Sequence, residues 1–398
     1  MGLVRGLFLF IVSGLAHYLA ARWLLSTLSP AAREKRRLVV FGAATLLSVL
    51  PSVTRAAAAT HGGLAMRALV AVMMLEFGAV LLALVPIGIM TAVARLVASL
   101  GGMRRTPAPE PAPSPDRLVT RRQAIERVAG GAILGATTAA LGWGMVRGRH
   151  AFAIEEVVVR IKGWPRALEG YTIAQISDVH AGAFVGEREL DEGFALVARI
   201  RADLLVATGD LVDFDAASIP PLAARLAGAG ARDGACAVLG NHDHYAGAAE
   251  VAAGLRDAGV RVLSNESVHL RARDGGGFAL LGVDDLHGRS GRTPGFCGPD
   301  LTAAARGLGP DVPRILLAHQ PRYLHECAGR VALQLSGHTH GGQINPGFCP
   351  ADLVMEFVAG RYEREGSTLW VNRGFGVAGP PSRLGAPPEI TKIVVVGA

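Results

Sequence analysis

Four apolar stretches fill most of the first 150 residues, at positions 3–25, 38–58, 68–94 and 128–146. Each is close to the ~20 residues that a helix needs to cross a bilayer. Hydrophobic residues make up 50% of the 398-residue chain, and their excess lies in this region. The expected organisation follows directly. Residues 1–100 hold three transmembrane helices, 101–127 a Pro/Arg-rich linker, 128–147 a fourth transmembrane helix or internal signal-anchor, and 152–398 a separate folded domain.

Charge sets the expected topology. Arg33, Lys35, Arg36 and Arg37 lie between the first two stretches. Arg95, Arg104, Arg105, Arg117, Arg121, Arg122 and Arg127 lie between the third and fourth. The positive-inside rule places both segments in the cytoplasm and the domain after span four outside it. The expected location is therefore the cell (inner) membrane, multi-pass, with an extracytoplasmic catalytic domain. Because the arginines flank apolar segments, the net charge of +7 is assigned to membrane topology, and no nucleic-acid partner is expected. The segment 106–115 (TPAPEPAPSP) reads as extended polyproline. Arg121-Arg122 beyond it reads either as an internal twin-arginine export signal or as inside-anchoring charge. Ala151-Phe152-Ala153 fits a small-x-small cleavage site. Glu76 interrupts the third stretch with no evident partner and reads as a helix contact or a water-facing group.

After Phe152 the pattern changes to short apolar runs alternating with amphipathic ones. Strands are expected at 154–161, 172–176, 204–207, 236–239, 278–283, 315–318, 331–335, 369–372 and 390–396, with helices at 187–200, 219–229 and 248–258. Alternation of this kind predicts an α/β domain whose early strands are parallel, with its active site beyond the strands' carboxyl ends. Five strand exits carry chemistry there: Asp178-Val179-His180, Asp210 with Asp213, Asn241-His242-Asp243, His319, and His338-Thr339-His340. One such exit is an ordinary turn. Five exits, all bearing Asp, Asn or His, point to metal. In an extended segment, His338 and His340 would face the same way, towards one centre. Oxygen and imidazole donors without thiolate suit two divalent ions, Mn²⁺, Fe²⁺ or Zn²⁺, sharing a ligand. Cys236, Cys297, Cys327 and Cys349 form no CxxC, and a Cys297–Cys349 disulfide stays open.

The order D-x-H, G-D-x-x-D, G-N-H-D, H, G-H-x-H resembles the calcineurin-like metallophosphoesterase superfamily over about residues 150–398. The segments Asn372-Arg373-Gly374-Phe375-Gly376 and Arg383 to Ile390 are similar to a membrane-attached bacterial branch, which includes phosphodiesterases and a UDP-2,3-diacylglucosamine pyrophosphohydrolase. The resemblance implies a four-layer αββα sandwich. It implies that Asp178, His180 and His340 hold one metal, that Asn241, His319 and His338 hold the other, and that Asp210 bridges them. His242 would be the general acid, oriented by Asp243, with Asp213 supporting the ligands. The reaction implied is hydrolysis of a phosphodiester or pyrophosphate by metal-bridged hydroxide, with a lipid-linked or envelope phosphoester as partner. A metal-binding sensory module without catalysis, and a transporter-like membrane unit regulated by the hydrolase, remain as alternatives. His244 reads as part of the site mouth or as incidental; His269, His287 and His325 as surface or structural. Asp284 is a further supporting candidate. The loop 285–298 reads as a specificity element, and Arg373 and Arg383 as phosphate contacts or solvent-facing groups.

Overall fold

The computed structural model describes residues 2–60, 63–102, 119–271 and 276–398. The polyproline segment 106–115 lies outside the described residues. Two compact units divide the chain, Met1–Trp143 and Gly144–Ala398.

The first unit consists of helices α1 (Gly2–Ser26), α2 (Pro30–Thr60), α3 (Leu64–Gly102) and α4 (Arg121–Val146). All four are long and apolar enough to cross a membrane. Proline at the first position of α2 costs no hydrogen bond, because that N–H would have no helical acceptor. The carbonyls at the end of α1 are likewise orphaned by helix geometry. They are met by side chains: Arg33 donates to Leu25 and Ser26, Gln123 to Ser26 and Leu28, and Arg127 to Thr27. Glu76 is not the isolated carboxylate its sequence context suggests. His17 Nε2 lies 3.0 Å from Glu76 Oε1, joining α1 to α3, and His17 Nδ1 lies 2.8 Å from the Ser13 carbonyl oxygen. The two residues are 59 positions apart, so only tertiary packing reveals the pair.

The second unit is built on two six-stranded sheets. The first has the order β1-β12-β2-β3-β4-β5, where β1 is Ala153–Ile161, β2 Tyr171–Ile176, β3 Leu204–Thr208, β4 Ala235–Val238, β5 Arg261–Val262 and β12 Glu389–Gly397. Strands β2 to β5 are mutually parallel, while β12 runs antiparallel to β2. The second sheet has the order β10-β11-β9-β8-β7-β6, with β6 Glu266–Arg271, β7 Gly277–Gly282, β8 Arg314–Leu317, β9 Leu333–Ser336, β10 Gly360–Arg364 and β11 Ser367–Val371. Only its edge strands β6 and β10 are antiparallel to their neighbours.

Strand alternation explains the layering. Leu204 and Val206 point between the sheets, into a cluster with Phe278, Leu280, Ile315, Leu317, Leu333 and Ile393. Leu205 and Ala207 point the other way, against helices α5 (Glu187–Ile200), α6 (Ile219–Ala227) and α8 (Ala248–Asp257). On the far side Leu281 and Leu316 pack under the helical turns bearing Leu301 and Leu324. This is the four-layer αββα sandwich expected. Each aliphatic side chain so buried contributes about 1.5–3 kcal/mol. Strands β5, β6 and β10 were not foreseen. Their polar composition gives no hydrophobic run, because the last two are half-exposed edges.

Candidate metal centre

Parallel strands deliver their carboxyl ends to one edge, and that edge gathers the Asp, Asn and His residues. Asp178 and His180 follow β2, Asp210 follows β3, and Asn241 opens the short helix α7 (Asn241–Ala246) after β4. His319 follows β8, while His338 and His340 follow β9.

Three groups of side chains each bring one ligand atom per residue within 4.8 Å of the others: Asp178, His180 and His340; Asp210, His319 and His338; His180, Asp210 and His242. Asp210 belongs to two of them, its Oδ2 lying 3.3 Å from His319 Nε2 and 3.8 Å from His180 Nε2. The donors face one another. His180 Nε2 stands 3.0 Å from His340 Nε2, and His338 Nδ1 stands 3.2 Å from His319 Nε2. Two imidazole lone pairs aimed together need a proton or a cation between them. Asn241 Oδ1 is buried without a hydrogen-bond partner among the described residues, another acceptor suited to a positive charge. The donor set, rich in imidazole and carboxylate, fits divalent transition ions.

The backbone is bent to make this possible. Asp178, His180, Asp210, His338 and His340 all have positive φ, between 50° and 76°. The left-handed region costs a non-glycine residue roughly 1–2 kcal/mol. It also corrects the reading of His338 and His340 as an extended pair facing one centre. With both residues left-handed, the rings diverge into different groups. Gly337 permits the close approach beside them, since a Cβ there would overlap Ser177 Oγ and Asp178 Oδ2. Both oxygens of Asp178 then accept the His338 N–H at 2.9 Å.

Supporting contacts fix the rings. His319 Nδ1 lies 2.8 Å from the Thr208 carbonyl oxygen, which leaves Nε2 for the cluster. His242 Nδ1 lies 2.9 Å from the carbonyl oxygen of Asp213 and 3.3 Å from its Oδ1. The carboxylate beside His242 is thus Asp213, and the expectation that Asp243 orients this ring is corrected. Asp243 instead braces the loops on either side: Oδ1 accepts from Leu211 and Val212 at 2.8 and 3.1 Å, and Oδ2 from Gly240 at 2.8 Å. Burial and the charge of Asp210 push Asp243 up to about 6, against those N–H groups. Burial works against charge on Asp210 too, yet His319, His242 and His180 hold it well below the usual carboxylate range. For His242, burial favours the neutral ring, but the Asp213 hydrogen bond and the charge of Asp210 carry it above the ordinary histidine value.

Several residues read ambiguously in sequence now have definite surroundings. His244 is buried, with Nε2 2.9 Å from Asp284 Oδ1. Asp284 also accepts from Asp285 and Gly298, so this pair ties down both ends of the loop 285–298. His269 and His325 are exposed. Arg383 is neither solvent-facing nor open to phosphate. It is 1% exposed and donates to the carbonyl oxygens of Gly376, His340, Ala386 and Gly374. Arg373 pairs with Glu155 and Glu389. All four cysteines are free, so no Cys297–Cys349 bridge forms. Sequence reasoning missed the bracing role of Arg383, since its position 43 residues from His340 gives no local signal.

The two-sheet sandwich and the Asp/His groups at one edge define the class: metal-dependent phosphoric ester hydrolases. Residues 171–342 match the family model described as "Calcineurin-like phosphoesterase". An uncharacterized metallophosphoesterase of Bacillus subtilis (strain 168) is 31% identical over 286 residues, covering 69% of this chain and 96% of its own. One from Aquifex aeolicus (strain VF5) is 33% identical over 246 residues, covering 61% and 92%. A Bos taurus relative named as a transmembrane protein with metallophosphoesterase domain is 34% identical over 265 residues, or 64% of this chain. The chain belongs to the calcineurin-like phosphoesterase family. It spans 60% of the length of the bovine relative.

Proposed function

We propose that this protein is a membrane-anchored, dinuclear-metal phosphoesterase that cleaves a phosphodiester or pyrophosphate bond in a lipid-linked or envelope substrate. The observation that carries the reading is the position of Asp210, common to two ligand groups. Asp178, His180 and His340 would hold one divalent ion, and Asn241, His319 and His338 the other, with Asp210 between them. Mn²⁺, Fe²⁺ and Zn²⁺ suit these donors. Bound ions of this kind supply an activated water near neutral pH and offset charge on the phosphoryl oxygens.

The chain's own residues do the rest. His242, its Nδ1 held by Asp213, keeps Nε2 to hand a proton to the departing oxygen. Asp243 and Gly337 hold the loops so that the donors converge before substrate arrives, which spares reorganisation during the reaction. The lipid assignment rests on the four apolar helices, which would concentrate the enzyme at a bilayer. The extracytoplasmic assignment rests on the arginine-rich segments before spans two and four.

The test is hydrolysis of bis-p-nitrophenyl phosphate by the full chain in detergent with Mn²⁺, beside Asp210→Asn. Activity that vanishes in the variant, with a fall from two bound metals per chain, supports the proposal. Metal-free wild-type protein would sink it. Orientation is read separately. Cys297 is the exposed cysteine, so a membrane-impermeant maleimide labels it in intact cells only if the domain faces outward.

A further inference from the structure

Large apolar side chains scattered singly over a surface need no explanation, whereas several exposed in one short segment do. In the second unit such a segment lies at residues 348–355. Phe348 is 61% exposed, Leu353 80%, Val354 85% and Met355 41%. The helical turn Pro350–Leu353 lies within it. Asp352 and Glu356 are exposed as well, and Glu356 is paired with His325 at 2.8 Å.

The loop is fastened in two directions. One fastening is to the metal edge. Asn345 Nδ2 donates to the Gly341 carbonyl oxygen at 3.0 Å, one residue beyond His340. Gly342 has a φ of 79°, and a Cβ there would lie 2.7 Å from Asn345 Oδ1 and 2.8 Å from Cys349 Sγ, so glycine lets the loop fold back this closely. The other fastening leads to the end of α4. The Asn345 N–H donates to the Leu384 carbonyl oxygen at 2.7 Å, the Leu384 N–H to that of Gln343 at 3.0 Å, and the Arg383 N–H to that of Gly144 at 3.2 Å. Gly144 lies on the last turn of α4, which ends at Val146. That helix has 26 residues, about 39 Å at 1.5 Å each, against about 30 Å of hydrocarbon. Trp143, 56% exposed, precedes Gly144, and tryptophan collects at the membrane–water boundary. The apolar loop is therefore tied to the point where the chain leaves its fourth membrane-length helix.

We propose that residues 346–355 form a membrane-docking loop, with Phe348, Leu353, Val354 and Met355 entering the boundary layer of the bilayer that α4 crosses. The occupant is lipid because the loop is joined to the exit of a membrane-length helix. Residues 341–360 contain no lysine or arginine, so acyl chains and not anionic headgroups supply the attraction. Asp352 and Glu356 stay at headgroup level and limit the depth. Docking keeps His340 and the donors beside it close to the headgroup plane, where a lipid carries its phosphate. The inference rests on the membrane-anchored part of the function proposed above and not on the metal chemistry, so its test needs no turnover.

The experiment uses the full chain in phosphatidylcholine nanodiscs, with Cys297→Ser as background and blank. Nitroxide labels are placed at Val354→Cys, at Asp311→Cys, and at Ala136→Cys on α4; Asp311 is exposed and precedes β8, whereas the metal donors follow the strands. Collisions with oxygen and with a water-soluble nickel chelate read depth. The Val354 label should lie about 5–10 Å into the headgroup–acyl boundary, as interfacial segments do, the Asp311 label in water and the Ala136 label in hydrocarbon. Adding Leu353→Asp should return the Val354 label to water. A Val354 label as open to nickel as that at Asp311, or one unmoved by Leu353→Asp, would overturn the docking loop. Dipolar broadening between Val354 labels, persisting in detergent, would assign the loop to a second copy of the chain and overturn it too. An Ala136 label in water would instead defeat the membrane-anchored reading, and the docking loop would fall with it.

Discussion

Arg383 packs directly behind His340, with Nη2 3.2 Å from the ring Nδ1 and Nη1 3.3 Å from the same residue's carbonyl oxygen. The guanidinium is fully buried, and burial lowers its pKa to about 9 against the favourable charge of Asp178. It spends its N–H groups on four carbonyl oxygens, three in its own β11–β12 segment and one at His340, a pattern that no ammonium can match.

Arg383→Lys is therefore expected to destabilise the catalytic unit by about 2–4 kcal/mol, because buried carbonyls lose their donors. Thermal unfolding of the full chain in detergent reads this out. An unchanged melting temperature would show that the four hydrogen bonds carry little.

Asp243 should behave similarly for a different reason. Asp243→Ala strands three buried N–H groups, on Leu211, Val212 and Gly240, at about 1–3 kcal/mol each before relaxation. Those groups flank Asp210 and Asn241, so metal content per chain should fall together with stability. Full metal occupancy in a destabilised variant would separate the brace from the site.

Chelation should lower the melting temperature as well as the activity. Ions that bind only the folded chain stabilise it by about 2.7–4.1 kcal/mol at 100 to 1,000 times their dissociation constant. The shift should disappear in Asp210→Asn. A chelator-induced shift that persists in that variant would place the stabilising ions elsewhere.

His242→Ala should discriminate between leaving groups. p-Nitrophenolate departs without help, so the loss there should be about tenfold or less. An alkyl alcohol needs a proton, and loss of a positioned acid costs about 10²–10⁴-fold. Equal losses for both leaving groups would remove His242 from the proton-transfer step.

The chemistry of the strand exits was legible because it is local. Asp178, Asp210, Asn241, His319 and His338 each follow an apolar run that the sequence displays, and the two-sheet sandwich then needs only strand alternation. What was not legible depends on distance or on φ. The divergence of His338 and His340 is set by left-handed backbone at each, which residue type alone does not encode. The exchange of roles between Asp213 and Asp243 is decided by which of them lies beside an imidazole and which beside amide groups. His17 and Glu76 find one another across 59 positions of sequence, from one helix to another. Strands β6 and β10 are polar edges, where solvent and not the core decides side-chain type.

The left-handed backbone at Asp178, His180, Asp210, His338 and His340 sets folding and function in opposition at single torsion angles. Glycine at any of these positions would relax the backbone and remove a donor in the same step. That exchange would give up the hydrogen bonds Asp178 and Asp210 accept from His338 and His242, and with them the stability that bound ions add, so the strained torsions persist because the donors offset them.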